Sequence, residues 1–386
     1  MPKMAIVGAG ISGLAVGFEL LERGTPPEDL VLLEAETRPG GNIRTDRFDG
    51  FVVERGPNGF LDNSPPTLDL VRRIGLEGRL LQSEKAAALR FIFRGGRLHE
   101  VPMSPPALLA SGLLSTRGKL RLFGEPFVPR GGSPEESVFD FAARRIGGEA
   151  ARVLVDSMVS GVFAGDAKRL ELRAAFPRME EMERRYGGLV RALLAIRRER
   201  KRRGERASAG AGPAGPGGRL TSFAGGLEEI IDALARSLAP SLRLGAAVES
   251  IDAAAANRFR VRLASGETID ADGVVLSCPS PEAARIVGAL DADLASLLSE
   301  IPSASIAVVA TVYDAAAIEP PHGFGFLVPR GEGPRILGCL WDSSTWQGRA
   351  PEGRVLLRTM IGGAHDPEAI RLDDEALLAL VARDLA

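Results

Sequence analysis

A chain of 386 residues can hold two or three domains with sizeable cores, and 45% hydrophobic with 25% charged residues is the balance of a globular protein that meets water. A net charge of −2 excludes nucleic acid as a partner on bulk electrostatics. Two cysteines, Cys278 and Cys339, exclude a disulfide framework, and three scattered histidines, His99, His322 and His365, leave a zinc or non-haem iron site without ligands, so no metal is predicted. The thiols suit a reducing cytoplasm. The reading predicts no signal peptide, since no charge-then-apolar leader precedes the first strand. No apolar run reaches the ~20 residues that span a bilayer.

In chain order, an apolar run at residues 4–7 ends in Gly8-Ala9-Gly10-Ile11-Ser12-Gly13, a G-x-G-x-x-G spacing. A helical pattern follows, stopped by Arg23-Gly24, and a second apolar strand, residues 30–33, closes on Glu34. Together these make a βαβ unit that binds a dinucleotide. Gly8 permits the tight turn, Gly10 lets a pyrophosphate approach the backbone, and Gly13 lets helix and strand pack closely. The helix N-terminus offers free N–H groups to phosphate. Glu34 stands where a carboxylate accepts ribose hydroxyls, which disfavours a 2′-phosphate and hence NADP. The motif alone does not separate FAD from NAD. Next comes Arg38-Pro39-Gly40-Gly41-Asn42-Ile43-Arg44-Thr45. In isolation it reads as a Pro-Gly-Gly turn. Directly after Glu34 it resembles the extended fingerprint of flavin-dependent amine oxidases, in which backbone N–H groups and the arginine approach the FAD diphosphate.

Residues 48–54 predict a hairpin leading to Gly56-Pro57-Asn58-Gly59, a turn whose backbone could lie close to a flat ring. Residues 65–82 read as a helix. Residues 86–101 alternate as a hairpin turning at Gly95-Gly96, with Arg90 opposite Phe91. From 104 to 205 the pattern is helical, with Ser137 or Ser133 as a cap and a helix over 149–160. The apolar parts of this stretch fit two readings, a surface for lipid or another subunit and an ordinary helical core. Residues 191–206 carry eight basic residues, a solvated face or a contact for anionic headgroups, and run into an Ala-Gly-Pro loop. A helix over 228–238, entered through residues 222–227, a strand over 242–251, a hairpin over 259–271 and a buried parallel strand over 273–277 follow. Strands at 306–313, 323–328, 336–340 and 355–360 predict a second sheet, and an amphipathic helix occupies 373–386.

Several segments together resemble the oxygen-dependent protoporphyrinogen oxidase family, nearly end to end. They are Gly56-Pro57-Asn58-Gly59, the Arg90-Phe91 strand, Ser160-Gly161-Val162-Phe163-Ala164-Gly165-Asp166, Ser222-Phe223-Ala224-Gly225-Gly226-Leu227, and Gly323-Phe324-Gly325-Phe326-Leu327-Val328-Pro329. The third and last are particular to that family within the flavin amine oxidases. The resemblance implies an α/β fold with a discontinuous Rossmann-like FAD-binding domain (1–85 and 219–290), a mixed-sheet substrate domain (hairpin 86–103 and residues 291–386), a helical, membrane-associating insertion (104–205) and a flexible loop (206–218). It implies FAD contacts at Gly8, Ala9, Gly10, Ile11, Ser12, Gly13, Glu34, Asn42, Arg44, Gly56, Pro57, Asn58, Gly59 and Val248. It implies a tetrapyrrole pocket with Arg90 facing a propionate, a backbone carbonyl near Gly161, and Leu327, Leu340 and Met360 as apolar walls; on residue type alone these three are ordinary core. The implied reaction is protoporphyrinogen IX to protoporphyrin IX, with O₂ as acceptor and H₂O₂ as product, in a cytoplasmic protein that touches the inner membrane and forms homodimers. The family closes with a glycine-rich segment and a helix facing the flavin, and no part of these residues matches it. Rival readings are an oxidase of coproporphyrinogen III or of amines, a flavoprotein module without catalysis, and an NAD-dependent dehydrogenase.

Overall fold

The computed structural model describes residues 3–133, 135–202, 218–255, 258–319 and 321–386. The chain divides into two units, Met1–Gln82 with Leu220–Ser303 and Ser83–Arg219 with Ala304–Ala386.

The first unit is built on a parallel sheet in the order Leu242–Arg243, Leu30–Leu33, Met4–Val7, Gly273–Leu276. Its apolar strands have no polar alternation because both faces are covered. Ile6 and Leu32 pack with Leu14 and Phe18 of the helix Ile11–Glu22 and with Ile231 and Leu234 of the helix Glu228–Ser237. Ala5, Val7, Val31 and Leu33 pack against Val248, Ile251, Val261 and Ile269 of an antiparallel three-stranded sheet. The hairpin at residues 48–54 forms as expected, turning through Asp49 and Gly50 at positive φ.

Three expectations in this unit are corrected. The helix expected over 65–82 ends at Arg73, because Gly75 takes φ +76° and Leu80–Gln82 leave to pair with Leu220–Phe223. Leu220–Phe223 is thus a strand rather than part of the entry into the next helix, which itself starts at Glu228 as expected. The strand expected over 242–251 is two strands, because Gly245 at φ +66° breaks it, and only Val248–Ala254 enters the antiparallel sheet.

The second unit carries a six-stranded sheet in the order Ile306–Asp314, Arg354–Gly362, Ile336–Leu340, Gly325–Leu327, Phe91–Arg94, Arg97–Glu100. All pairs are antiparallel except that between Gly325–Leu327 and Phe91–Arg94. Gly95 and Gly96, both at positive φ, close the hairpin. One face is buried under the helix Asp374–Leu385, where Phe326 and Ile361 meet Leu380 and Val381. The remainder of this unit is mainly helical. Ser137 Oγ accepts the Asp140 N–H at 3.0 Å and caps the helix Val138–Ile146. The helix expected over 149–160 runs on to Phe163, through a π-helical stretch at Ala151–Asp156, and stops where Ala164 turns left-handed at φ +48°. Arg145 and Glu125, both fully buried, form an ion pair beneath the helix Leu189–Arg202, and Glu125 accepts the N–H groups of Leu189 and Val190 at that helix start. Leu109, Leu120 and Phe127 stay 58%, 68% and 87% exposed. The loop expected over 206–218 and the end of the basic run lie outside the described residues, Gly218 apart. No described helix is long and apolar enough to cross a membrane.

Candidate cofactor cradle and substrate face

The nucleotide motif folds as its spacing dictates. Gly8 takes φ +99° at the turn out of the strand. Gly10 caps the helix in an extended conformation, and a Cβ added there would meet nothing within 4 Å. A Cβ on Gly13 would lie 2.5 Å from Ser277 Oγ and closer still to the Gly8 carbonyl oxygen. Ser277 Oγ donates to that same carbonyl at 2.7 Å, so the close helix–strand contact is held by a residue far along the chain. Glu34 is nearly buried and accepts the N–H groups of Ala9 at 2.7 Å and Glu36 at 2.9 Å.

The Pro-Gly-Gly segment is drawn onto this turn. Gly40 N–H donates to Ala9 O at 2.8 Å, and a Cβ on Gly41 would lie 3.7 Å from Gly10 Cα. Gly56 packs in turn on the Asn42 carbonyl, where no side chain fits. Gly8 to Gly13, Glu34, Gly40 to Asn42 and Gly56 thus form one contiguous backbone-lined cradle. Asn58 Nδ2 is buried with no hydrogen-bond partner among the described residues. A buried donor left unpaired costs ~1–3 kcal/mol unless something accepts from it. Open space beside Gly10, a helix N-terminus, a buried ribose-type carboxylate and an orphaned amide donor together fit a dinucleotide cofactor. Arg44 lies 3.8 Å from Asp46. Val248 is buried, and its carbonyl accepts from Arg285.

Two contributors escaped the sequence reading. Arg38 donates to Pro39 O at 3.0 Å and Gly41 O at 2.8 Å, bracing the glycine pair. Glu54 is buried, accepts from Thr45 Oγ at 2.6 Å and takes the Leu227 N–H at 2.8 Å; Thr45 Oγ also accepts from Glu228 N–H at 3.2 Å. Thr45 and Glu54 therefore cap the helix Glu228–Ser237 from a distance, and Gly226, at φ +108° against Thr45, makes room for it. A glutamate after two valines carries no local signal for this task.

In the second unit, strand register decides which residues share a face. Leu327 pairs with Gly338, Gly338 with Met360, and Gly325 with Leu340. Cross-strand partners and alternate residues point the same way, so Leu327, Leu340 and Met360 share the face opposite the C-terminal helix. All three are half-buried. Gly161 meets them: a Cβ there would lie 2.6 Å from Leu327 Cδ2, so its helix sits directly on Leu327. Arg90 precedes the strand that aligns Phe91 with Phe326, and its guanidinium stands 5.6 Å from the Phe324 ring centre. Among the described residues no carboxylate pairs with it. Arg90 keeps solvent access, yet surrounding protein atoms push its pKa down by desolvation.

One cluster has metal-ligand residue types, Asp156, Asp166 and His365. Its centre is taken by Arg330, which binds Asp156 at 2.8 and 3.1 Å and reaches His365 Nδ1 at 3.1 Å. A guanidinium there leaves no room for a cation.

The chain is 30% identical over 397 residues to the coproporphyrinogen III oxidase of Bacillus subtilis (strain 168), covering 99% of this chain and 82% of that one. It is 33% identical to the chloroplastic protoporphyrinogen oxidase of Nicotiana tabacum, covering 98% and 71%. A crystal structure from Exiguobacterium sp. 255-15, assigned as a protoporphyrinogen oxidase, superposes with a TM-score of 0.82 at 26% identity over all of this chain and 82% of the other. The model of the flavin containing amine oxidoreductases matches residues 11–386. The protein is an oxidoreductase with FAD as cofactor, and the chain belongs to the flavin containing amine oxidoreductase family.

Proposed function

We propose that this chain oxidises protoporphyrinogen IX to protoporphyrin IX. Six electrons and six protons leave the substrate in three two-electron rounds, and three O₂ become three H₂O₂. When bound, FAD supplies the hydride acceptor and passes each electron pair to O₂. The chain's own residues bind and orient. Gly8 to Gly13 and Gly40 to Asn42 offer backbone N–H groups and close approach to a diphosphate, and Glu34 offers a carboxylate to ribose hydroxyls. Asn58 Nδ2 has a hydrogen bond to give. Leu327, Leu340 and Met360 form a half-buried apolar wall suited to the flat faces of a macrocycle.

The observation that carries the reading is Arg90. Its guanidinium stands over the Phe324 ring, keeps solvent access and has no carboxylate partner among the described residues. That suits paired N–H donation to a substrate propionate. The relative at 33% identity is named a protoporphyrinogen oxidase, which supports this substrate. Each round also frees one proton beside the hydride; it passes to water and is balanced by the proton taken up as O₂ becomes H₂O₂. Peripheral membrane contact or dimerisation, also part of the proposal, suits the exposed Leu109, Leu120 and Phe127.

Coproporphyrinogen III is the second candidate substrate, since the Bacillus subtilis relative is named for it and matches nearly the whole chain. The test supplies flavin-loaded protein with protoporphyrinogen IX, coproporphyrinogen III and a primary amine in turn. Oxygen uptake and porphyrin fluorescence are followed. Protoporphyrinogen IX is expected to turn over fastest. Equal or faster use of either rival replaces the substrate, and flavin binding without turnover of any of them favours a non-catalytic module.

A further inference from the structure

Arg330 lies outside the proposed substrate face, three residues after Leu327. Its fork reaches three separate segments. Nε and Nη2 bind the buried Asp156 carboxylate at 2.8 and 3.1 Å, Nη2 stands 3.6 Å from Asp166, and Nη1 meets His365 Nδ1 at 3.1 Å. Asp156 closes the π-helical stretch just before the helix that carries Gly161, and Asp166 follows that helix. His365 follows the strand that carries Met360. Main-chain contacts join the same pieces: Ala364 N–H donates to Ala164 O at 2.7 Å, and Gly363, at φ +77°, packs on Ala164. The segments bearing Gly161, Leu327 and Met360 therefore meet at one guanidinium. A stretch of π-helix is rare and is found frequently at functional positions, and here it delivers Asp156 to the fork.

We infer that Arg330 is a positioning residue, whose fork sets the spacing between the Gly161 helix and the strands bearing Leu327 and Met360, and so the fit of the porphyrinogen. The inference rests on the porphyrinogen reading above. Lysine would keep the charge but, as a point charge, could not hold three partners at fixed angles.

The test compares wild type, Arg330→Lys, Asp166→Asn and, as control, Arg335→Gln. Arg335 is about as exposed as Arg330, pairs with Asp366 at 2.8 Å, and among the described residues makes no ion pair to Asp156 or Asp166. Protoporphyrin IX binding is read by fluorescence, KM and kcat with protoporphyrinogen IX, and amide hydrogen exchange over residues 157–166. Arg330→Lys is expected to raise Kd and KM about tenfold, leave kcat within about twofold and speed exchange in that segment, since sub-ångström misplacement is costly to fit. Asp166→Asn, which keeps the buried Asp156 pair, should move the same quantities less. It decides the matter if Arg330→Lys does not fold. Unchanged Kd and exchange in the variants that fold overturn the inference, as does an equal effect of Arg335→Gln. Wild type that binds no protoporphyrin IX overturns the porphyrinogen reading and this inference with it. Wild-type binding that Arg330→Lys leaves unchanged overturns this inference alone.

Discussion

Gly10 and Gly13 stand three residues apart in one motif, yet an added methyl should do opposite things at each. At Gly13 the new Cβ would lie 2.5 Å from Ser277 Oγ and nearer still to the Gly8 carbonyl, and the second neighbour is backbone that cannot rotate away. Ordinary contact begins at 3.4 Å, so the hydroxyl must gain about 0.9 Å and the carbonyl more than that, and the helix Ile11–Glu22 must lift from the sheet. Overpacking of this kind costs about 1–3 kcal/mol. For a unit of this size that lowers Tm by about 2–12 °C, with or without cofactor. At Gly10 the backbone is extended, at φ −67° and ψ 175°, and the Cβ points into open space. Alanine there should change cofactor-free stability by less than about 1 kcal/mol, the scale of a weaker helix cap. It should still weaken FAD binding about tenfold or more, because the methyl stands where phosphate approaches the helix N-terminus. Differential scanning fluorimetry of the flavin-free proteins and titration with FAD separate the two. A Gly13→Ala protein that melts with wild type would refute the packing argument. A Gly10→Ala protein with full FAD affinity would remove the cradle from the cofactor site.

Arg90→Ala should raise KM for the porphyrinogen and leave flavin content unchanged; unaltered kinetics would take Arg90 out of the site. Glu125→Ala should destabilise the second unit by about 3–5 kcal/mol in urea unfolding, since it strands the buried Arg145 and uncovers the Leu189 and Val190 N–H groups; Glu183, 3.2 Å from Arg145, softens the loss, and a cost below ~1 kcal/mol would contradict the pairing. His365 is held below its usual pKa by burial first and by Arg330 second, against the opposing pull of Asp156 and Asp166. Its folded pKa lies below its unfolded one, so the unfolded state binds more protons between the two. The stability it contributes is present above the unfolded value of ~6.5 and is lost as pH falls through that value toward the folded one. Thermal unfolding from pH 7.5 to 5 should show this loss, and His365→Gln should remove it; an identical pH slope in the variant would show that His365 does not titrate in this window.

The features legible in the sequence are those set within a few residues. Period and branching declare Met4–Val7 and Leu30–Leu33 as doubly buried strands, and Asp49-Gly50 and Gly95-Gly96 supply the positive φ that tight hairpins need. Glycine spacing placed the cofactor turn, because steric permission belongs to the residue itself. Tertiary structure alone decided the rest. Leu220–Phe223 became a strand because Phe60–Leu61 and Leu80–Gln82 stand on either side of it. Glu54 became the cap of a helix 173 residues away, and Arg330 met Asp156 across 174. Gly161 proved to be the space that Leu327 fills. A hydrogen bond or contact between distant residues leaves no mark on the periodicity of either segment, since it depends on where the sheet carries each of them. Local residue patterns therefore specify the cofactor turn and its strands, while the bracing of that cradle and the register of the apolar face exist only in the folded chain.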